Sequence, residues 1–333
     1  MGTYETTIGL DVSKDYLDFA VHQAQVTRYL GRVPNETGAL QAYLEELVKQ
    51  YDLPTTLFCL ETTGLYTQGF LMVSQALGLA VWHENALEIS QSLGLKRGKN
   101  DILDAQAIAR YAYRNQDKVR LYSPPSEILA DIKHLLALRE RLLESLKRLE
   151  VPANELKLFA GTRTLELLDK CSQTTRDALK SDLKTLEKEL FKLLDTDEDL
   201  KKKYELVTSV VGIGKWTAFP ILVTTEAFQK IDDPKKYACY CGVVPFAKSS
   251  GKKKGRNKVS FLANKAMKTH LHMGALSAIR HDPQIKAYYD RKVKEGKPKM
   301  SVINAVRNKL IGRIFAVIRK QQPYQVIFDK NAA

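Results

Sequence analysis

Apolar and polar positions alternate with a period of two at the start of the chain and change to a helical period further on. Residues 6–12 (TTIGLDV), 16–23 (YLDFAVHQ) and 26–33 read as three consecutive strands. Pro34-Asn35-Glu36-Thr37-Gly38 is a turn. Residues 39–51 carry Leu40, Tyr43, Leu44, Leu47 and Val48 at helical spacing. A short apolar strand over 55–60 ends at Glu61. A helix over 65–77 closes at Gly78, and residues 79–83 form another strand. The segment 101–113 sets Ile102, Ala105, Ile108, Ala109 and Ala112 on one side of a helix. Three strands in succession, followed by alternating strands and helices, predict a mixed sheet with helices packed on it.

The middle of the chain changes character. Leu135, Leu138, Leu142 and Leu149 fall at heptad-compatible spacing, and Leu146 fills the same stripe. Leu179, Leu183, Leu186, Leu190 and Leu193 repeat in steps of four, three, four and three, the seam of a coiled coil. Pro152 and the region of Gly161 are expected to separate two long helices, so residues 126–200 read as a helical hairpin. The leucines can be buried within one chain or between copies, and the pattern alone leaves both open. From Leu206 the chain reads as compact and mostly helical, with clear helices over 261–279 and 301–318. Three regions follow: 1–123, 124–205 and 206–333.

Charge sharpens this division. The net charge of the chain is +14. Residues 206–333 hold 25 Lys and Arg against 7 Asp and Glu, a net of +18, and the remainder carries −4. A basic region of this kind suits a polyanion, because lysine and arginine release counterions from a phosphate backbone. No run of about 18 apolar residues is present to span a membrane. Cys59, Cys171, Cys239 and Cys241 fit neither a disulfide framework nor a zinc site, which suits a reducing cytoplasm.

Four carboxylates stand out by position. Asp11 lies near the end of the first strand and Glu61 at the end of a central one. Asp101 and Asp104 open a helix, and residues three apart share a helix face. Clustered carboxylates repel one another and call for a cation, and an all-oxygen set suits Mg²⁺ or Mn²⁺. Each acid also has an ordinary reading. Asp101 can cap its helix, Asp104 can complement the helix dipole, Asp11 can open a turn and Glu61 can cap the next helix. Asp15, Asp18 and Asp117 have no comparable placement. In the basic region, Ser249-Ser250-Gly251 sits among Lys248, Lys252, Lys253, Lys254, Arg256 and Lys258. Those cations can hold a phosphate beside a serine hydroxyl, although Ser-Ser-Gly is also an ordinary turn. Gly212 and Gly214, in VVGIGK, resemble the turn of a helix-hairpin-helix, whose backbone amides approach a DNA phosphate. A plain tight turn has the same pattern.

Taken together, IGLDVSK, ETTGLY, KNDILDA, VGIG, CGVVP and SSG occur in an order that resembles the DEDD transposases of the one-ten family of insertion sequences. That family includes bridge-RNA-guided recombinases and Piv-type DNA invertases. The resemblance spans nearly the whole chain. It implies an RuvC-like, RNase H-like amino-terminal domain, a helical coiled-coil middle and a mostly helical carboxy-terminal transposase domain. It implies that Asp11, Glu61, Asp101 and Asp104 hold Mg²⁺ or Mn²⁺, and that Ser250 attacks DNA to form a phosphoserine link. It further implies homodimers that pair into tetramers on donor and target double-stranded DNA, with one subunit's acids meeting another's serine and a structured guide RNA directing many members. The chain departs from the family at Ser249, which doubles the serine, and at Phe261 and Ala263, which replace a lysine and a glycine common in relatives.

Three functions compete on these residues. The first is a site-specific DNA recombinase in a prokaryotic cytoplasm, associated with the nucleoid. The second is a Mg²⁺-dependent junction-resolving nuclease that uses water and does not need Ser250. The third is a catalytically silent nucleic-acid-binding protein, against which the presence of all four acids argues. Transposition and inversion are not separated by the sequence.

Overall fold

A computed structural model describes residues 4–62, 64–92, 100–246 and 259–326, with the backbone alone at 249–250, 253–254 and 258. The chain divides into two compact units, Met1–Pro124 and Pro125–Ala333.

The first unit is built on five strands: β1 (Thr6–Val12), β2 (Tyr16–Gln23), β3 (Val26–Pro34), β4 (Thr56–Glu61) and β5 (Val81–Glu84). Their order in the sheet is β3-β2-β1-β4-β5. The first three pair antiparallel, while β4 runs parallel to both β1 and β5. Such a mixed sheet fits an RNase H-like fold. Four helices accompany it: α1 (Thr37–Gln50), α2 (Gln68–Ala76), α3 (Ala86–Ser92) and α4 (Asp101–Arg114). The period of two along β1 sorts its side chains to two faces. Ile8, Leu10 and Val12 join Leu40 and Leu44 of α1 and Phe70 of α2 in one core. Gly9, on the opposite face, lies against α4. Beyond it on that face, Cys59 and Trp82 pack with Ile108, Tyr111 and Ala112 of α4.

The contact between α4 and β1 is close. A Cβ on Gly9 would stand 2.2 Å from the Ala109 amide nitrogen and 2.4 Å from the Ala105 carbonyl oxygen. The Thr7 hydroxyl donates to the Ala109 carbonyl at 2.8 Å. Thr7 therefore lies beside the later turns of α4, and Asp11 lies toward its first turn.

In the second unit, α5 (Glu127–Leu156) and α6 (Thr162–Asp195) form an antiparallel hairpin. Pro152 does not break α5, which continues to Leu156; the break falls between Leu156 and Thr162. Leu183, Leu186, Leu190 and Leu194 are buried within the chain, so internal packing accounts for much of the leucine seam. Arg139 of α5 bonds Glu187 of α6 at 2.9 Å and lies 3.7 Å from the centre of the Trp216 ring. Trp216 belongs to α8 (Lys215–Thr225), which follows α7 (Glu198–Thr208) and precedes α9 (Pro234–Tyr240). Two short strand pairs come next, β6 (Pro245–Phe246) with β9 (Lys258–Val259) and β7 (Ser249–Ser250) with β8 (Lys253–Lys254). The chain then forms α10 (Lys265–His281), α11 (Pro283–Lys294) and α12 (Lys299–Lys320). Helix α10 begins at Lys265 rather than at Phe261 because Asn264 caps it, accepting from the Met267 amide. Helix α12 is the centre of this unit, with Val306, Leu310, Ile311 and Ile314 fully buried. No helix among the described residues is long and apolar enough to cross a membrane.

Gly9→Val is expected to push α4 off β1 and to cost about 3 kcal/mol, at the upper end of what overpacking usually costs. Urea denaturation measures this, and an unchanged unfolding midpoint would reject the close packing.

Candidate active site

The sheet register builds the acidic site. Asp11 of β1 pairs with Asp18 of β2, and Asp18 pairs with Arg32 of β3. On the other side, Leu10 pairs with Leu60, so Asp11 and Glu61 stand at the same level on neighbouring parallel strands. Glu61 in turn pairs with Glu84 of β5. Asp11 and Glu61 follow Gly9 and Cys59 by two residues and therefore share the face covered by α4. Asp101 and Asp104 occupy the first turn of α4, over that end of the sheet. All four of these acids are half-buried, within reach of both protein and solvent. Strand ends, a helix start and the parallel crossover between β1 and β4 thus gather residues from positions 11, 61, 101 and 104.

The ordinary reading of Asp101 as a helix cap does not hold. Asn100 is the cap, its side-chain oxygen accepting from the Ile102 amide at 3.0 Å. Both Asp101 and Asp104 lie inside the helix, where the amino-terminal dipole favours negative charge.

Two further acids belong to this row, and sequence reading passed over both. Asp18 is only 2% exposed, and its carboxylate is fully engaged. It accepts from the Tyr29 hydroxyl at 2.6 Å and from Arg32 Nε and Nη2 at 3.0–3.2 Å. Burial pushes the Tyr29 hydroxyl up to about 12, with the Asp18 carboxylate adding to the effect. Glu84 closes β5, where its carboxylate accepts from the Asn85 amide at 2.6 Å. Burial, followed by the nearby Glu84 charge, raises the Tyr111 hydroxyl of α4 to about 12. The signal available in the sequence was position alone: Asp18 lies seven residues beyond Asp11 across a tight turn, and Glu84 ends an apolar strand.

The loops around the acids are tied together. Asn35 donates from one side-chain nitrogen to the Ser13 and Tyr66 carbonyls, each at 3.0 Å. This links the segments that follow β1 and β4.

The acids are an all-oxygen donor set on one face at one end of the sheet, a chemistry that suits Mg²⁺ or Mn²⁺. As arranged, no three His, Cys, Asp or Glu side chains among the described residues are drawn together closely enough to hold an ion.

In the second unit, Ser250 pairs with Lys253 and Ser249 with Lys254 in a backbone hairpin. The β6–β9 pair, which includes Lys258, lies at its base. Lys248, Lys252 and Arg256 lie outside the described residues. Asn304 of α12 ties the approach to this hairpin, donating to the Val243 carbonyl at 2.6 Å. Arg307, one turn on, is 5% exposed and bonds Asn304 and His272. Neither Asn304 nor Arg307 was singled out from the sequence, which offers no motif around them. Gly212 has φ +96°, and a Cβ there would stand 2.4 Å from the Gly274 carbonyl oxygen, so close packing on α10 requires a glycine. Gly214 precedes the first turn of α8, with open space around it.

A transposase model for DEDD proteins of IS110 elements matches residues 8–155. A second, described as Transposase IS116/IS110/IS902 family, matches residues 204–290. The chain belongs to the IS110 family of transposases. This transposase is 24% identical over 332 residues to the pilin gene-inverting protein of Moraxella bovis, covering 98% of each chain. It is also 24% identical over 259 residues to the transposase for insertion sequence element IS1111A of Coxiella burnetii, covering 69% of this chain and 70% of that one. Among solved structures, Thermus thermophilus RuvC in complex with a Holliday junction substrate aligns at 16% identity. That alignment covers 35% of this chain and 99% of RuvC, at a TM-score of 0.27.

Asp18→Ala is expected to destabilise the transposase by about 2 kcal/mol, the scale of lost hydrogen bonds to a charged group. Chemical denaturation checks this. A cost below about 0.5 kcal/mol would mean that the buried network contributes little.

Proposed function

We propose that this transposase is a site-specific DNA recombinase that cuts and rejoins DNA through a phosphoserine intermediate. The observation that carries the reading is the convergence of Asp11, Glu61, Asp101 and Asp104 on one end of one sheet face. In this reading those four residues hold Mg²⁺ or Mn²⁺. A bound ion would supply Lewis-acid stabilisation of the charge that develops on the phosphate under attack.

The rest of the chemistry belongs to the basic unit. The Ser250 Oγ attacks phosphorus, forming one ester bond as the bond to the departing deoxyribose oxygen breaks. The serine proton passes to solvent and a proton returns to the leaving oxygen. The ester bond energy is kept, so rejoining needs no ATP. Lys248, Lys252, Lys253, Lys254, Arg256 and Lys258 surround the serine in sequence and would hold the phosphate and offset its charge. Gly212 and Gly214 are placed in the same reading as contacts to a DNA backbone, with the open space at Gly214 favouring the second more than the first. The net +18 of residues 206–333 supports a nucleic-acid partner, with a structured guide RNA alongside donor and target DNA. Homodimers pairing into tetramers complete the reading. The end of the α5–α6 hairpin supports self-association, for there Leu158 and Phe159 are more than three-quarters exposed. A coiled coil between copies would extend the leucine pattern of that hairpin.

Ser250→Ala is expected to eliminate both a covalent protein–DNA adduct on a denaturing gel and recombination, while DNA binding persists. Ser249→Ala should retain most of both. A water-using nuclease would instead leave free ends, show no shifted protein band and cut near-normally as Ser250→Ala, which would promote the junction-resolving alternative. Binding offers a second check. Replacing Lys252, Lys253 and Lys254 with Gln is expected to reduce the log-affinity against log-salt slope by about 2–3, since each phosphate contact contributes nearly one. An unchanged slope would remove these lysines from the interface.

A further inference from the structure

Every strand of the first sheet contributes one charged residue to a single row. Across β3, β2, β1, β4 and β5 these are Arg32, Asp18, Asp11, Glu61 and Glu84. Arg32 is the cation of that row and stands at its edge. Its guanidinium is fixed from one side by the buried Asp18 carboxylate, through Nε at 3.1 and 3.2 Å and Nη2 at 3.0 Å. The Tyr29 hydroxyl bonds the same carboxylate and steadies it. The same Nη2 also reaches α4, where it meets the Asp101 carboxylate at 3.1 Å. Arg32 and Asp101 are each about half exposed, so their contact can open without unpacking the core. The bonds to Asp18 can persist when it does.

A guanidinium stays protonated across the accessible pH range and presents a planar fork. It therefore supplies a permanent positive charge to the row whether or not another cation is present. Gathered carboxylates repel one another, and one fixed cation relieves part of that repulsion.

We propose that Arg32 is a positioning residue that holds Asp101 until a divalent cation draws that carboxylate away, so that Arg32 and the metal ion compete for Asp101. The proposal rests on the reading of Asp11, Glu61, Asp101 and Asp104 as the metal-holding acids. Asp18 and Tyr29 serve as the anchor: they keep the guanidinium at the rim of the site once Asp101 has moved. Arg32 thereby sets the metal concentration at which the site assembles.

The test is titration of the full-length chain with Mn²⁺ alone, followed by electron paramagnetic resonance of the free ion and by calorimetry. Arg32→Gln is expected to bind Mn²⁺ up to roughly fivefold more tightly, the upper end of what a half-exposed ion pair such as Arg32–Asp101 contributes. Arg32→Lys keeps the charge and should gain less than Arg32→Gln. The gain should act through Asp101: when Asp101→Asn is already present, adding Arg32→Gln should change the affinity by less than about twofold. Because Arg32→Gln leaves Asp18 without its cation, the double variant D18N/R32Q carries the same test if the single variant does not fold, and circular dichroism decides which to use. An Mn²⁺ affinity that is unchanged or weaker in the folded Arg32 variant overturns the proposal, as does a full gain that persists with Asp101→Asn. Glu61→Ala separates the two levels of the argument. If it binds Mn²⁺ as well as the unaltered chain, the metal reading itself fails and the competition fails with it. If Glu61→Ala loses binding and Arg32→Gln gains none, only the competition is wrong.

Discussion

The approach of α4 to β1 at Gly9 is the contact on which the acidic site depends. A side chain at position 9 would collide with the backbone of Ala105 and Ala109, and those two alanines keep the helix side of the contact equally small. The Thr7 bond to the Ala109 carbonyl sets how far along the strand the helix lies. With that fixed, the first turn of α4 lies over the end of β1, where the parallel pairing with β4 has already brought Glu61 level with Asp11. A few small residues in a buried contact thus place charged residues that are far apart in the chain.

Gathering so much negative charge has an electrostatic cost, and the structure offsets it in two ways. Asp101 and Asp104 sit in the first turn of a helix, where the backbone dipole is favourable. Asp18 is buried, but it is paired with Arg32 and bonded by Tyr29, so no uncompensated charge is left inside the sheet. Arg32 faces both toward this buried partner and toward Asp101. The second unit carries the opposite charge. Its core forms around α12, and a second glycine contact, Gly212 on Gly274, lets helical segments meet closely there. Apart from the buried Arg307, the described basic residues of this unit are exposed or half-buried, in keeping with a net of +18 for residues 206–333.

Much of this was legible from residue patterns. The alternation in 6–12, the helical spacing in 101–113 and the leucine steps in 179–193 correspond to β1, α4 and α6. Elements whose pattern was weak or short were missed: α3 has seven residues, α11 is highly polar, and the serine segment pairs over only two residues per strand. Pro152 was expected to end a helix but is accommodated within α5. Lys180 of α6 pairs with Glu150 two residues before that proline, and a local pattern does not include such a partner helix. Asp18 showed no signal beyond its position because its role arises from pairing across β1, β2 and β3, and because its neighbours Tyr29 and Arg32 come from a strand whose own pattern is unremarkable.

By itself, the sequence determined the order of the five strands and of the longer helices among them, the segregation of acid from base, and the acidic and serine motifs that place the chain in its family. These depend on periodicity, composition and short-range spacing, all of which are written along the chain. Only the tertiary structure decided which carboxylates share a row, that Asn100 rather than Asp101 caps α4, and that Arg32 joins a buried aspartate to an exposed one. Those outcomes depend on sheet register and on how closely one helix can approach one strand. A one-residue shift in register would turn the same side chains to the opposite face, so no local reading of the sequence specifies them.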